Sequence, residues 1–154
     1  MKLWLLRHGE AEPRAATDAE RPLTRNGRQE VLQAAARLAG APLDAIIVSP
    51  YLRARQTAEL VVEALAFQGP VLVEGWLTPE SDPREALDRL VRREESQLLL
   101  VTHNPFVGEL AGLLVHGHRQ QPLAMSTASL AELDGAMPLA GVMDLRALHH
   151  PHRL

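Results

Sequence analysis

Four basic side chains follow short hydrophobic segments, and their chemical types suit the handling of phosphate. The segments Leu3–Leu6, Ala45–Val48 and Leu98–Val101 have the length and aliphatic composition of buried strands. In an open α/β sheet the carboxyl ends of such strands meet at one edge, where ligands bind. Arginine offers phosphoryl oxygens a planar fork of donors, and histidine offers a nitrogen nucleophile. The side chains that this arrangement would bring together are Arg7, His8, Arg53 and His103.

This set of residues predicts a site for phosphoryl transfer. The transferred group carries its charge on three equatorial oxygens, so positive donors must surround it before the reaction begins. We expect Arg7, Arg53 and His103 to supply them, together with N–H groups of a helix that starts near Pro50. His8 would attack phosphorus through one ring nitrogen while the other donates to a backbone carbonyl, which fixes the tautomer. Water would then cleave the phosphohistidine, and neither a metal ion nor a cofactor is expected.

The same residues belong to motifs that occur in a fixed order along the chain. Arg7-His8-Gly9 follows the first strand, Leu23-Thr24-Arg25-Asn26-Gly27 opens a helix, and Ser49–Ala58 follows the second strand, with His103 after a later one. The set resembles the R-H-G, L-T-x-x-G and S-P-x-x-R-A-x-Q-T-A motifs and the late histidine of the histidine phosphatase superfamily, also called phosphoglycerate mutase-like proteins. One such motif is weak evidence, whereas four in order are specific.

The resemblance implies a phosphatase that forms a phosphohistidine intermediate. His8 would accept the phosphoryl group, and the phosphate pocket would consist of Arg7, Arg53 and His103. Further residues of these motifs, or of the polar loop between the first strand and the first helix, are expected to bind substrate. They are Gly9, Asp18, Arg21 and Ser49. Asp18 and Arg21 could equally form an ordinary salt bridge within the loop.

A leaving alkoxide needs a proton, and the sequence does not identify a donor for it. Larger family members place an acidic residue after the second helix, often with an inserted helical cap, but the segment between Val71–Val73 and Leu98–Val101 is too short for a cap. Imidazole leaves phosphorus far more readily than an alkoxide does, so a phosphohistidine substrate needs less acid assistance. This favours the small phosphohistidine phosphatase branch, which Asp18–Thr24 also resembles. The carboxylates that could reach the site are Glu12, Asp18, Glu80 and Asp82.

Three functions therefore compete. The leading hypothesis is a metal-independent phosphohistidine phosphatase that acts on phosphotransfer proteins of signalling relays. The second keeps the chemistry but takes a small phosphomonoester, such as a sugar or nucleotide phosphate. The third is a phosphate-binding module without turnover, and His8 argues against it because binding alone needs only the arginines.

The alternation of strand-like and helical segments predicts a mostly parallel sheet with helices on both faces, which is a three-layer α/β sandwich. Ser129–Leu133 and Val142–Leu148 should add two strands at a sheet edge, and we expect residues 1–154 to form a single domain. Four polar residues indicate helix starts, three of them followed by proline. They are Thr24, Ser49, Asp82 and Asn104.

Composition restricts the class of protein. There are 19 acidic and 16 basic side chains, so the strong positive charge of a nucleic-acid-binding domain is missing. The absence of cysteine excludes disulfides and a thiol nucleophile. The chain enters a strand too early for a signal peptide and has no apolar segment of ~18 residues, so we expect a cytoplasmic protein without a membrane partner.

The remaining histidines are not expected to form a site. The C-terminal histidines should form a solvated tail, since no carboxylate or cysteine spacing supports a metal centre. The other two should be loop residues. The first group is His149, His150 and His152, and the second is His116 and His118.

Overall fold

The computed structural model describes residues 1–152, which contain a six-stranded sheet and four α-helices. Two short 3-10 turns, Asp18–Glu20 and Gly75–Leu77, lie in the connections. The strands are β1 (Lys2–Arg7), β2 (Ala45–Val48), β3 (Val71–Val73), β4 (Gln97–Thr102), β5 (Leu130–Asp134) and β6 (Asp144–His149). The helices are α1 (Arg25–Leu38), α2 (Leu52–Leu65), α3 (Pro83–Val91) and α4 (Phe106–His116).

The sheet topology brings the ends of the central strands together. The strand order is β3-β2-β4-β1-β5-β6, and β1 to β4 run parallel to one another. β5 is antiparallel to β1, and β6 is antiparallel to β5. β1 and β4 are in register from Lys2 opposite Gln97 to Arg7 opposite Thr102, so the residues that follow both strands emerge side by side. The prediction of a mostly parallel sheet with two added strands on one side is confirmed.

Helices cover both faces of the sheet, because the buried strands are apolar on both sides. In β1, Leu3 and Leu5 pack into a cluster with α3 and α4, whereas Trp4 and Leu6 pack into a second cluster with α1 and α2. Each fully buried leucine contributes about 1.5–3 kcal/mol relative to an exposed one. The predicted three-layer sandwich is confirmed, and between β3 and β4, a segment that the structure describes in full, α3 is the only α-helix.

Two of the four predicted helix starts are confirmed. Thr24 Oγ1 accepts a hydrogen bond from Gly27 N at 2.9 Å, which satisfies one of the free N–H groups at the start of α1. Asp82 Oδ1 accepts one from Arg84 N at 2.9 Å, and α3 then begins with Pro83.

The other two predicted starts are wrong. Ser49 Oγ accepts a hydrogen bond from Tyr51 N at 3.3 Å, so it belongs to a turn before the helix, and α2 begins at Leu52. The side chain of Asn104 does not cap α4. It donates to Met125 O at 2.9 Å instead, and the helix begins at Phe106.

The expectation of a solvated histidine tail holds only for exposure, since His150 and His152 are exposed but the segment is attached to the rest of the fold. β6 starts at Asp144 rather than Val142 and includes His149, and His150 Nδ1 lies 2.6 Å from Ser129 Oγ. The backbone of His152 exchanges two hydrogen bonds with the Gln33 amide, at 2.7 and 3.1 Å. Pairing with β5 and α1 holds this segment, and such long-range contacts leave no local sequence pattern.

His116 is the last residue of α4 rather than a loop residue. Within residues 1–152, no helix combines the length and the apolar character that crossing a membrane requires. The predicted single domain includes residues 153 and 154, which lie outside the described part of the chain.

Candidate active site

The end of β1 fixes the backbone of Arg7 and His8 between two neighbouring strands. His8 N donates to Thr102 O at the end of β4, at 3.0 Å, and Arg7 N donates to Ser129 O just before β5, at 3.1 Å. His8 O accepts a hydrogen bond from Ala128 N at 2.9 Å. These bonds extend the sheet pattern past the end of the strand, so they fix the backbone position from which the His8 side chain extends.

The His8 ring is held in one tautomer. Nδ1 lies 2.7 Å from Gly9 O, and because a carbonyl can only accept, Nδ1 carries the proton and Nε2 keeps its lone pair. Arg53 Nε donates to Nε2 at 3.3 Å. Burial lowers the pKa of His8 to about 4, helped by the charges of Arg53 and Arg7 and opposed by the bond to Gly9. His8 is therefore an uncharged base with its lone pair directed at a guanidinium group.

Arg53 connects His8 to the loop before α1. Its Nη1 donates to Asp18 O at 2.7 Å, and its Nη2 lies 3.2 Å from Asp18 Oδ2. Arg21 Nη1 contacts the other carboxylate oxygen, Asp18 Oδ1, at 2.8 Å. The hydrogen bonds from Arg21 and Arg53 hold the pKa of Asp18 below its usual value, so this carboxylate is ionised at neutral pH.

The His103 ring lies edge-on to the His8 ring, with centroids 5.1 Å apart, and His103 is 1% exposed. Its Nε2 lies 2.6 Å from Ser49 Oγ, whose hydroxyl can donate the proton. Burial lowers the pKa of His103 to about 2, and the neighbouring His8 and Arg53 act in the same direction, so the ring is uncharged. In the tautomer in which Ser49 donates to Nε2, the proton of His103 resides on Nδ1 and that atom is a donor.

Two buried donors beside His8 have no hydrogen-bond partner among residues 1–152. They are Arg7 Nε and His103 Nδ1. The remaining polar contact of the Arg7 side chain is from Nη1 to Met125 O, at 3.0 Å. Burial lowers the pKa of Arg7, yet a guanidinium group does not lose its proton in proteins. Since buried donors are normally paired, this pair of N–H groups suits an anionic ligand bound against His8.

Gln56 and Thr57 of the α2 motif form hydrogen bonds that connect three segments of the site. Thr57 Oγ1 accepts a hydrogen bond from Gly9 N at 3.2 Å and donates to Arg53 O at 2.8 Å. Gln56 Oε1 accepts one from Leu23 N at 2.8 Å. These two side chains thus fix the loops on either side of Asp18 to the helix that carries Arg53.

Two motif glycines permit backbone contact between the loop after β1 and the start of α1. A Cβ atom on Gly27 would lie 2.0 Å from Glu10 O, and one on Gly9 would lie 2.5 Å from Gly27 O. Both distances are far below any normal contact. A side chain at either position would push α1 away from the loop that holds the His8 ring.

The four carboxylates that the sequence analysis considered as proton donors have different environments in the structure. Asp18 contacts the pocket, whereas the Asp82 carboxylate caps α3 and lies 3.5 Å from Arg119 Nη1. Glu80 is exposed, and Glu12 touches the pocket loop through its backbone oxygen, which accepts from Arg21 Nε at 2.6 Å. Across residues 1–152 no cluster of three or more histidine, cysteine or acidic side chains could hold a metal ion.

The sequence did not mark several residues that complete the site. The Tyr51 ring packs edge-on against His103, with centroids 4.9 Å apart, and lies 4.9 Å below the Arg53 guanidinium carbon. The loop before β5 supplies Met125 O and Ala128 N, yet it contains no recognisable motif. Tyr51 could have been noticed from its position inside the α2 motif, whereas the loop contacts join residues far apart in sequence.

Comparison with known proteins assigns the family. The sequence model of the histidine phosphatase superfamily (branch 1) matches residues 3–76. The phosphohistidine phosphatase SixA of Escherichia coli (strain K12) is 34% identical over 138 aligned positions, and the alignment covers 86% of this chain and 84% of that protein. The chain belongs to the histidine phosphatase superfamily. It is a phosphatase, and the family resemblance of its motifs is confirmed.

Other members show the same fold and share part of the sequence. A solved structure of the protein histidine phosphatase SixA complexed with tungstate matches with a TM-score of 0.87 and 31% identity, over 98% of this chain and 97% of that one. The adenosylcobalamin/alpha-ribazole phosphatase of Salmonella typhimurium (strain LT2) is 42% identical over 67 aligned positions, and the alignment covers 41% of this chain and 33% of that protein.

Proposed function

We propose that this histidine phosphatase removes the phosphoryl group from phosphohistidine side chains of other proteins, in particular phosphotransfer proteins of signalling relays. The proposal rests on one combination of charge states in the site. His8 is uncharged and directs its Nε2 lone pair at the donors of the pocket, whereas Asp18 is ionised. The site has a ready nucleophile, while its contacting carboxylate is unsuited to donate a proton. The SixA name of the relative from Escherichia coli supports the same substrate class.

The reaction follows from the positions of the donors. His8 Nε2 attacks phosphorus, and the bond from phosphorus to the leaving nitrogen breaks. Arg7 Nε, His103 Nδ1 and the Arg53 guanidinium donate to the phosphoryl oxygens, whose charge is greatest in the transition state. Water then attacks the phosphorylated His8 and releases inorganic phosphate. The pocket donors supply the charge stabilisation without a metal ion.

The four predicted substrate-binding residues have different roles in this proposal. Gly9 holds the proton of His8 Nδ1, and the fully buried Ser49 orients His103 rather than touching substrate. Asp18 is anionic and would repel a phosphate, so it positions Arg53 and Arg21 instead. Arg21 stays at the pocket rim as a contact for the substrate.

The leaving group distinguishes this function from hydrolysis of small phosphoesters. An alkoxide must take up a proton as it leaves, whereas imidazole does so with little help. The partial match to an alpha-ribazole phosphatase covers 41% of this chain, so it supports shared phosphate chemistry more than a shared substrate.

The deciding experiment compares kcat/KM for a phosphorylated phosphotransfer domain with kcat/KM for a panel of sugar and nucleotide phosphates. We expect the phosphohistidine protein to exceed every ester by at least ~100-fold, because general acid catalysis contributes about that much where it is required. His8→Ala serves as the inactive control. A sugar or nucleotide phosphate that is hydrolysed as efficiently as the phosphoprotein would establish the small-molecule phosphatase instead.

A further inference from the structure

Glu30 is a half-buried residue of α1 that contacts two separate loops. Its Oε1 accepts a hydrogen bond from Glu10 N at 2.9 Å. The Thr127 hydroxyl donates to the same carboxylate, at 2.9 Å from Oε1 and 3.0 Å from Oε2. A single side chain therefore joins the loop after β1 to the loop before β5, and Thr127 lies 97 residues after Glu30 along the chain.

Both loops hold parts of the phosphate pocket. Glu10 follows Gly9, whose carbonyl fixes the His8 tautomer. The loop of Thr127 supplies Met125 O to Arg7 Nη1 at 3.0 Å and Ala128 N to His8 O at 2.9 Å. A shift of either loop would move the Arg7 guanidinium relative to the His8 ring.

The charge of Glu30 also acts on Arg7. Burial lowers the pKa of Arg7, and the negative charge of Glu30 opposes that effect. The side chain thus has two separable properties near the pocket, namely its hydrogen bonds and its charge. If the charge of Glu30 were its only effect, Glu30 would weaken anion binding, since a carboxylate close to Arg7 repels a phosphate.

We propose that Glu30 is a positioning residue, whose hydrogen bonds to Glu10 N and Thr127 Oγ1 hold Arg7 and His8 in the geometry that binds the phosphoryl group. This inference rests on the proposed phosphoryl-transfer function of the site. It assigns the effect to the hydrogen bonds and not to the carboxylate charge.

Three substitutions separate the two properties. Glu30→Gln keeps an acceptor for both donors and removes the charge, and Glu30→Ala removes both. Thr127→Val removes one partner hydroxyl at nearly constant shape. Glu63→Ala, at an exposed position on α2, is the matched control for losing a surface carboxylate. Tungstate binding by calorimetry reports on the pocket without turnover, and kcat and KM for an activated aryl phosphate report on the reaction.

We expect Glu30→Ala to weaken tungstate binding by about tenfold or more and to lower kcat further, since misplaced reacting groups cost up to ~100-fold. Glu30→Gln should restore both values to within about threefold of wild type, and Thr127→Val should fall between. Unchanged tungstate affinity in Glu30→Ala, or an equal loss in Glu30→Gln, would overturn the proposal. If Glu30→Ala does not fold, wild-type affinity in Thr127→Val would overturn it.

These measurements stay distinct from the test of substrate class. Failure of the wild type on phosphohistidine proteins would remove the proposed function, yet the ranking of variants by tungstate affinity would still decide the role of Glu30. A normal activity on phosphohistidine with no difference among the variants would leave the function in place and remove this inference.

Discussion

The charge state and the tautomer of His8 are set by the groups that contact its ring rather than by its residue type alone. An exposed histidine is partly protonated near neutral pH, but burial and the neighbouring arginines lower the pKa of His8 to about 4. The Gly9 carbonyl then directs the proton to Nδ1, which leaves on Nε2 the free lone pair that the proposed attack on phosphorus requires. The same guanidinium that contacts Nε2 can move to a phosphoryl oxygen when phosphorus approaches.

His8→Ala should abolish turnover and leave the fold intact, because the substitution removes the attacking nitrogen. The wild type should briefly carry an acid-labile, base-stable phosphate on His8. Rapid quench with labelled substrate followed by peptide mapping checks both points. His118→Ala, which changes an exposed histidine, is the control and should retain activity. A phosphate trapped on another residue would contradict the assignment.

The lowered histidine pKa values also predict how stability depends on pH. Unfolded histidines bind protons below pH 6.5, whereas in the native state His8 does so near pH 4 and His103 near pH 2. The unfolded state therefore binds more protons between pH 4 and 6.5, so the free energy of unfolding falls as pH is lowered through this window. Each histidine adds at most about 1.4 kcal/mol per pH unit.

Urea unfolding of wild type and His8→Gln across this window checks the slope. The variant should show a smaller dependence of stability on pH, because it lacks one of the two groups that must gain a proton on unfolding. Above pH 6.5 the two curves should run parallel. Equal slopes throughout would mean that His8 titrates alike in the folded and unfolded chains.

At the scale of elements, α1 and α2 hold the pocket loops through close backbone contact and through two polar side chains. Gly27 lets the first turn of α1 touch the loop after β1, and Thr57 of α2 bonds to Gly9 N in that loop. The glycine and the threonine of these motifs thus hold the elements together, whereas Arg53 contacts His8 Nε2 and is the residue proposed to bind the phosphoryl group.

Gly27→Ala should destabilise the protein and lower kcat, because the added methyl group would lie 2.0 Å from Glu10 O. Overpacking of this kind costs about 1–3 kcal/mol. Gly75→Ala is the matched control, since a Cβ atom there meets nothing within 4 Å. That change should alter stability by no more than about 0.5 kcal/mol. Thermal unfolding and steady-state kinetics measure both effects, and equal behaviour of the two variants would contradict the account.

The sequence predicted the elements whose signals are local. Hydrophobic segments located the strands, and the residues directly after them included His8 and His103, because parallel strands must end at one edge. The wrong helix starts at Ser49 and Asn104 have one cause. Each polar side chain bonds to a group outside the helix that follows it, Ser49 to the His103 ring and Asn104 to Met125 O.

Contacts between distant segments could not be predicted in this way. Glu30 and Thr127 are 97 residues apart, and neither belongs to a recognised motif position. The pairing of His150 with Ser129 depends on β6 lying beside β5, which places the C-terminal segment against the sheet. A single sequence carries the residue types for such contacts but not their partners.

At the scale of the whole molecule, the connections explain which substrates can approach. The segment between β3 and β4 contributes α3 to one face of the sheet, and no inserted helical cap occurs within residues 1–152. Asp18 and Arg21, on the loop before α1, form the rim of the pocket. Under the proposed function, we expect a phosphorylated side chain that is still attached to a folded partner to reach His8 past this rim.

The proposed function provides no acid for the leaving group, and this makes a final prediction. Across a series of aryl and alkyl phosphates, kcat/KM should fall steeply as the pKa of the leaving group rises, because an alkoxide needs a proton that ionised Asp18 does not supply. Asp18→Asn should raise KM for all these substrates alike by loosening Arg53, and Glu80→Gln, at an exposed position, should change nothing. A shallow dependence that steepens in Asp18→Asn would identify Asp18 as a proton donor and favour a small phosphoester as the substrate.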